Sequence, residues 1–275
     1  MKRTGSRCVT IIAAVFLCTI VYTSGKESAA DTPDLTTDRP DQTESSVTVE
    51  PGYIQVEAGM TISHTGDYDV TEAPGTLVRI GVTDRIEARI GIEGWIFDEE
   101  KDTEGFGDSE IGVKVSLFGQ DGWIPESAIL AGVCVPTAKT VFEGERYDPA
   151  LKCSCRNTSL LYAASHQLTD RLSAGYNLGI GWECYKGGDG DRHFNAYTPY
   201  SVALGIGIME HLGGFVEFFG GAPINPSGKP ANLVDGGLTF LVLDNLQFDI
   251  AGGAGISDAA EDWFFGAGVS YRYPR

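Results

Sequence analysis

TLVRIGVTDRIEARIGIEGW, residues 76–95, is the stretch whose pattern decides the fold. Thr76, Val78, Ile80 and Val82 form a largely apolar file, and Leu77, Arg79, Gly81 and Thr83 a mostly polar or small one. After Asp84 and Arg85 the alternation resumes, with Ile86, Ala88, Ile90 and Ile92 set against Glu87, Arg89, Gly91 and Glu93. Successive side chains of a strand point to opposite faces, so the stretch predicts an antiparallel pair with one greasy and one polar face. The polar face carries charges in mid-strand with glycine beside them, which suits a wet interior better than an outer surface. The greasy face then meets lipid.

The unit recurs. Thr169, Asp170 and Arg171 precede a strand over 173–183 in which Ala174, Tyr176, Leu178, Ile180 and Trp182 alternate with small or polar residues, and both copies end in Gly-Trp. Residues 53–63 carry the cleanest alternation, Ile54, Val56, Ala58, Met60 and Ile62 against Gln55, Glu57, Gly59, Thr61 and Ser63. Similar runs follow to residue 273, about twelve in all. Short turns at 83–85, 119–123, 169–171, 209–213 and 243–245 alternate with longer loops, including polar 64–73 and acidic 98–108. An even number of strands with short turns at one end and longer loops at the other predicts an all-β, transmembrane, antiparallel up-and-down barrel of the bacterial outer membrane, with short periplasmic turns and longer outer loops. Trp95, Trp182 and Trp263 fall at the outer ends and Trp123 at a periplasmic turn, the places of an interface girdle.

Before the barrel, Lys2, Arg3 and Arg7 lead an apolar stretch over 9–21, a signal peptide cut near residue 25 or 30. Residues 31–52 have no periodicity and predict an extended periplasmic lead-in or a plug, with the barrel over 53–275. Glycine, at 36 of 275 residues, is roughly twice its usual share of about 7%. A net charge of −18 excludes nucleic acid as a partner, because phosphate binding needs clustered Lys and Arg. The partners expected are outer-membrane lipid, a small-molecule solute and the barrel-assembly machinery.

Thr37, Asp38, Arg39, Pro40, Asp41, Gln42, Thr43, Glu44 and Ser45, followed by Gly52 through Glu57, resemble the family called putative MetA-pathway of phenol degradation, a group of outer-membrane β-barrels. Phe215-Val216-Glu217, Gln247-Phe248-Asp249 and the closing run 262–272 agree with it. The resemblance covers essentially the whole mature chain and implies a barrel tied to transport of aromatic or other hydrophobic compounds.

If the alternation holds, Glu57, Arg79, Glu87, Arg89, Glu93, Lys114, Glu217, Asp249 and Arg272 line the lumen, where they set pore selectivity or pair into a network that fills it. Asp67, Asp69, Glu72, Asp98, Glu99, Glu100, Asp102 and Glu104 read as solvated loop charge, and 187–191, GGDGD, as a turn. Cys134, Cys153, Cys155 and Cys184 remain after signal removal, and in an oxidising compartment allow three full pairings. Four scattered histidines and no nucleophile elbow give no catalytic residues, no metal site and no cofactor, so no enzyme is expected. The function expected is a cell outer-membrane channel for passive uptake of small solutes, hydrophobic or aromatic ones included. The alternatives are a non-conducting structural or surface-binding barrel, and a soluble exported β-barrel that binds a ligand.

Overall fold

Alternation of the kind seen at 76–95 needs a partner strand on each side, and the chain supplies it by closing on itself. The computed structural model describes residues 33–100, 103–135, 137, 158–186, 192–224 and 228–274. Every regular element among them is a strand: β1 (Ile54–Thr65), β2 (Tyr68–Thr83), β3 (Ile86–Ile92), β4 (Trp95–Asp98), β5 (Thr103–Phe106), β6 (Ser109–Phe118), β7 (Glu126–Val135), β8 (Thr158–Gln167), β9 (Leu172–Lys186), β10 (Arg192–Met209), β11 (Leu212–Pro223), β12 (Ala231–Leu243), β13 (Leu246–Gly255) and β14 (Trp263–Tyr273). Neighbours in sequence pair antiparallel except β3 with β4 and β5 with β6, and β1 pairs with both β2 and β14, the latter from Ile54↔Tyr273 to His64↔Trp263. The pairing of β1 with β14 and β2 closes the ring, as backbone in lipid demands, and among the described strands β5 alone pairs on one side only, with β4.

Fourteen strands make twelve staves. β4 follows β3 along the flank of β2, and β5 precedes β6 in the same way, so each pair is one stave with a break. The two breaks sit side by side, where the Glu93 N–H donates to Asp108 O at 3.0 Å and the Gly107 N–H to Gly94 O at 3.1 Å. Opposite them stands Pro74, which has no N–H to give the ladder. The β1–β2 register shifts at this level, between Gly59 and Thr61. Above the shift the side-chain phase of β2 is reversed, so Glu72 turns inward and its carboxylate accepts the Gly94 N–H at 3.1 Å.

Two expected loops are strands. Residues 64–73 belong to β1 and β2, which turn tightly between Thr65 and Tyr68, and the acidic run 98–108 holds the last residue of β4 and all of β5, with 101 and 102 outside the described residues. Asp69, Glu72, Asp98 and Glu104 are therefore strand residues, and short and long connections do not alternate strictly. The outer parts of these strands carry polar residues on both faces, because a strand that rises past the hydrocarbon no longer needs an apolar outer file. Period-2 reasoning cannot see such a segment.

The outer face is apolar and the inner face is not. Val78's file continues around the ring as exposed side chains such as Ile90, Leu178, Val202, Val216, Leu238 and Ile250, with Leu178 59% exposed. Among the largest fully buried side chains are Arg79, Lys114, Gln55, Glu57 and Glu87. A soluble protein places these two classes the other way round.

Candidate functional site: the lumen

The inward file brings charges into direct opposition. Gln55 lies across from Arg79, Arg79 across from Arg89, and Glu87 across from Lys114. Two arginines and a lysine on adjacent staves would repel unless anions stood among them, and the anions come partly from the wall and partly from residues 33–52. Arg79 Nε donates to Glu87 at 2.9 Å and Nη1 to Glu57 at 3.0 Å. From the N-terminal segment, Asp38 accepts from Arg89 Nη1 at 2.6 Å and from Lys114 Nζ at 3.1 Å, and it lies 3.2 Å from Arg79. Glu44 takes Arg89 Nη2 at 2.8 Å. Burial alone would raise the Asp38 carboxyl, but Arg79, Lys114 and Arg89 outweigh it and hold it well below the usual carboxylate range.

Residues 33–52 form a strap held from many sides. Its backbone N–H groups at Asp38 and Arg39 donate to Glu57, at Gln42 to Glu217, at Glu44 to Asn177 and at Val49 to Glu87, all between 2.7 and 3.2 Å. Further bonds join Thr43 to Ser201, Ser46 to Ser165, Arg39 to Asp249, Thr37 to Gln247, and the carbonyls of Val47 and Asp34 to Arg79 and Arg272. With Lys114 on β6, ten of the twelve staves bond to the strap among the described residues; β7 and β12 do not. Arg39 lies so close to Gly59 on β1 and Gly268 on β14 that a Cβ at either would strike its guanidinium. A side chain at either position would displace the guanidinium, and at Gly59 a Cβ would also lie 2.7 Å from the Ala267 carbonyl oxygen.

The lumen is different above the strap, towards the longer loops. Phe219 on β11 and Phe264 on β14 meet edge to face with centroids 6.1 Å apart. Gly253, on β13, one of the two staves between them, leaves the room: a Cβ there would lie 2.5 Å from Phe264 Cε1. Leu233, opposite Phe219, and Phe264 are both 7% exposed. On β7 and β8, Ala128, Leu130 and Ala163 form a buried apolar cluster extended by Leu161.

The expected lumen residues divide unevenly. Glu57, Arg79, Glu87, Arg89, Lys114, Glu217, Asp249 and Arg272 are buried. Glu93 departs from them: it is exposed, in the break between β3 and β4, and its carboxylate accepts the Asp108 N–H at 2.9 Å. Asp38, Asn177, Ser201 and Asp235 join the buried polar set without having been singled out by sequence. The last three sit in phase with the inward file and could have been found by parity; Asp38 could not. Of the tryptophans, Trp123 is 95% exposed in the turn after β6, Trp182 is exposed within the outer part of β9, Trp263 is exposed at the start of β14, and Trp95 is half-buried against Phe106. Cys134 is disulfide-bonded. Cys153 and Cys155 lie outside the described residues, as does the side chain of Cys184.

From residue 37 to residue 273 the sequence matches the family described as putative MetA-pathway of phenol degradation. The chain belongs to that family. Its fold is similar to that of an outer-membrane channel from Pseudomonas putida F1, with a TM-score of 0.63 at 11% identity over 83% of this chain and 98% of that one. It is also similar to the NanC porin, with a TM-score of 0.53 at 12% identity over 79% and 98% of the two chains. No curated protein sequence matches this chain. The protein is a closed antiparallel β-barrel of twelve staves in the outer membrane. The soluble, exported alternative is thereby set aside: its apolar file would have to face a core, and here that file is exposed.

Proposed function

We propose that the barrel is a passive channel for small solutes, hydrophobic or aromatic ones included, in which residues 33–52 act as a plug. The observation that carries this is the apolar group of Phe219, Leu233 and Phe264, with a separate cluster at Leu130 and Leu161, on the inner face of an otherwise polar lumen. A barrel with only a structural role gains nothing by placing aromatic rings on its wet side, whereas a solute with an apolar body gains a surface to partition onto. The charged lower lumen and its strap then act as the gate. Insertion by the barrel-assembly machinery belongs to the same proposal.

A second reading has its own support: bonds from the strap to ten staves favour a barrel that stays shut and serves as a surface or structural element. Single-channel recording of the refolded mature chain, residues 31–275, in planar bilayers separates the two. Discrete conductance steps from the intact chain, with faster uptake of aromatic than of sugar-like solutes into liposomes, are expected. Silence from a chain shown by proteolysis to be inserted would overturn the channel.

A further inference from the structure

β12 is one of the two staves with no hydrogen bond to the strap among the described residues, and it carries an acid that receives no hydrogen bond. Asp235 is 9% exposed, and both its carboxylate oxygens are buried with no hydrogen-bond donor. Directly across the ladder stands Glu217, whose carboxyl lies within hydrogen-bonding reach of it. Asp41 of the strap is near enough for its charge to act on both. None of the described cationic side chains neutralises this trio: Arg39 is on Asp249, and Arg79, Arg89 and Lys114 are committed to Asp38, Glu44, Glu57 and Glu87. Taking carboxylates out of water without a counter-charge is costly, so the site calls for a cation or a proton.

The surroundings discriminate between kinds of cation. No three described Asp, Glu, His or Cys side chains are grouped as a metal ion requires. What stands beside the acids is aromatic. A Cβ at Gly253 would lie 2.6 Å from Asp235 Cβ as well as 2.5 Å from the Phe264 ring, so ring and acid share one corner of the lumen. Phe219 is two residues from Glu217 on the same inward file, and its ring meets that of Phe264.

We propose that this corner is a subsite for a protonated amine on a small aromatic or aliphatic body. The ammonium group donates to Asp235 and Glu217, and the body lies on Leu233 and on Phe219 and Phe264, whose rings also favour a nearby cation. Glu217 is at the same time the acceptor for the Gln42 N–H, at 2.8 Å, and for the Thr43 hydroxyl. An amine that donates to Glu217 competes with those two donors, so its entry lifts the strap's turn at residues 41–43. Cationic solute and strap exclude one another at one carboxylate, and the solute helps to open its own path. This names the solute class of the channel proposed above and rests on it for its role in transport.

Binding to the mature chain in detergent micelles tests the subsite without a bilayer. By titration calorimetry at pH 7, benzylamine should bind at least about tenfold more tightly than benzyl alcohol, its neutral counterpart, as a charge-assisted bond demands. Methylammonium, which lacks the ring, should bind at least about tenfold more weakly than benzylamine. In Asp235→Asn, verified as folded by its heat-modifiable migration, the preference for amine over alcohol should vanish. Equal binding of amine and alcohol by the wild-type chain would overturn the proposal without recourse to any variant, as would a preference that Asp235→Asn leaves intact; a proton shared between Asp235 and Glu217 would then account for the site. A chain that binds benzylamine yet never conducts would keep the subsite and end the channel reading. One that conducts without preferring the amine would do the reverse.

Discussion

The lower and upper parts of the lumen are walled by the same strands, yet they solve opposite problems. Around the strap, Arg79, Arg89 and Lys114 are matched to Asp38, Glu44, Glu57 and Glu87 at 2.6–3.1 Å, and the space is filled. Towards the outer loops, rings and aliphatic side chains share the lumen with acids that lack cations, and Asp235 has no donor at all. A buried network is stabilising only when each member is satisfied. The lower lumen therefore reads as a lock and the upper as a surface kept ready for something that is not part of the chain.

The sharpest way to break this contrast is to remove the lock. Deletion of residues 33–51 should convert a closed or flickering barrel into one with sustained open steps in planar bilayers while its heat-modifiable migration persists. If conductance is unchanged, the strap does not close the path. Arg79→Ala comes next, because it strands Glu57, Glu87 and Asp38 together. Loss of one partner from a buried pair costs about 3–5 kcal/mol, to be read as a lowered urea midpoint and more frequent opening. Substituting Gly59 or Gly268 by valine forces Arg39 from its seat, with overpacking that costs about 1–3 kcal/mol, visible as accelerated proteolysis within residues 33–52 and little change in the upper lumen.

In the upper part, Phe264→Ala removes one ring of the edge-to-face pair. With such a pair worth about 1 kcal/mol, uptake of an aromatic solute should fall about fivefold against a sugar-like control in liposome assays. The smallest effect is one of pH. Burial first, then the carboxylates of Glu217, Asp38 and Asp235, push the Asp41 carboxyl well above its usual range. The docked strap thus keeps a proton that the free strap has lost. Docking is favoured in full below the free carboxyl's value of about 3.9, and this contribution declines as pH rises towards the higher docked value. Open probability should accordingly increase with pH in the wild type, and Asp41→Asn should flatten the profile.

Much of this molecule was legible in order of residues alone. Alternation at 53–63, 76–92 and 173–183 shows the strands because lipid on one side and water on the other write a period of two into the chain. The buried charges Glu57, Arg79, Glu87, Arg89 and Lys114 follow from the same parity. It fails where the physical contrast disappears: at 64–73 and 98–108 the staves stand clear of the hydrocarbon and carry polar residues on both faces, and at Glu93 a break shifts the phase. The strap carries no period, because it bonds through backbone N–H groups and carbonyls to the wall, and a bond of that kind asks little of its side chain. Only the family resemblance over 37–45 marked the segment, and Asp38 and Arg39, which anchor it, lie within that motif.

The seat of Arg39 has a consequence for how the ring is made. Its guanidinium rests on Gly59 of the first stave and Gly268 of the last, residues paired directly across the seam. The two halves of this seat are the parts of the chain furthest apart in sequence, and they come together only when β1 meets β14. A slip of two residues at that meeting would bring Ser270 or Gly266 opposite Gly59 and divide the seat between different levels. The segment that fills the finished cylinder thus also gauges its closure, admitting the arginine only when the first and last strands have met in step.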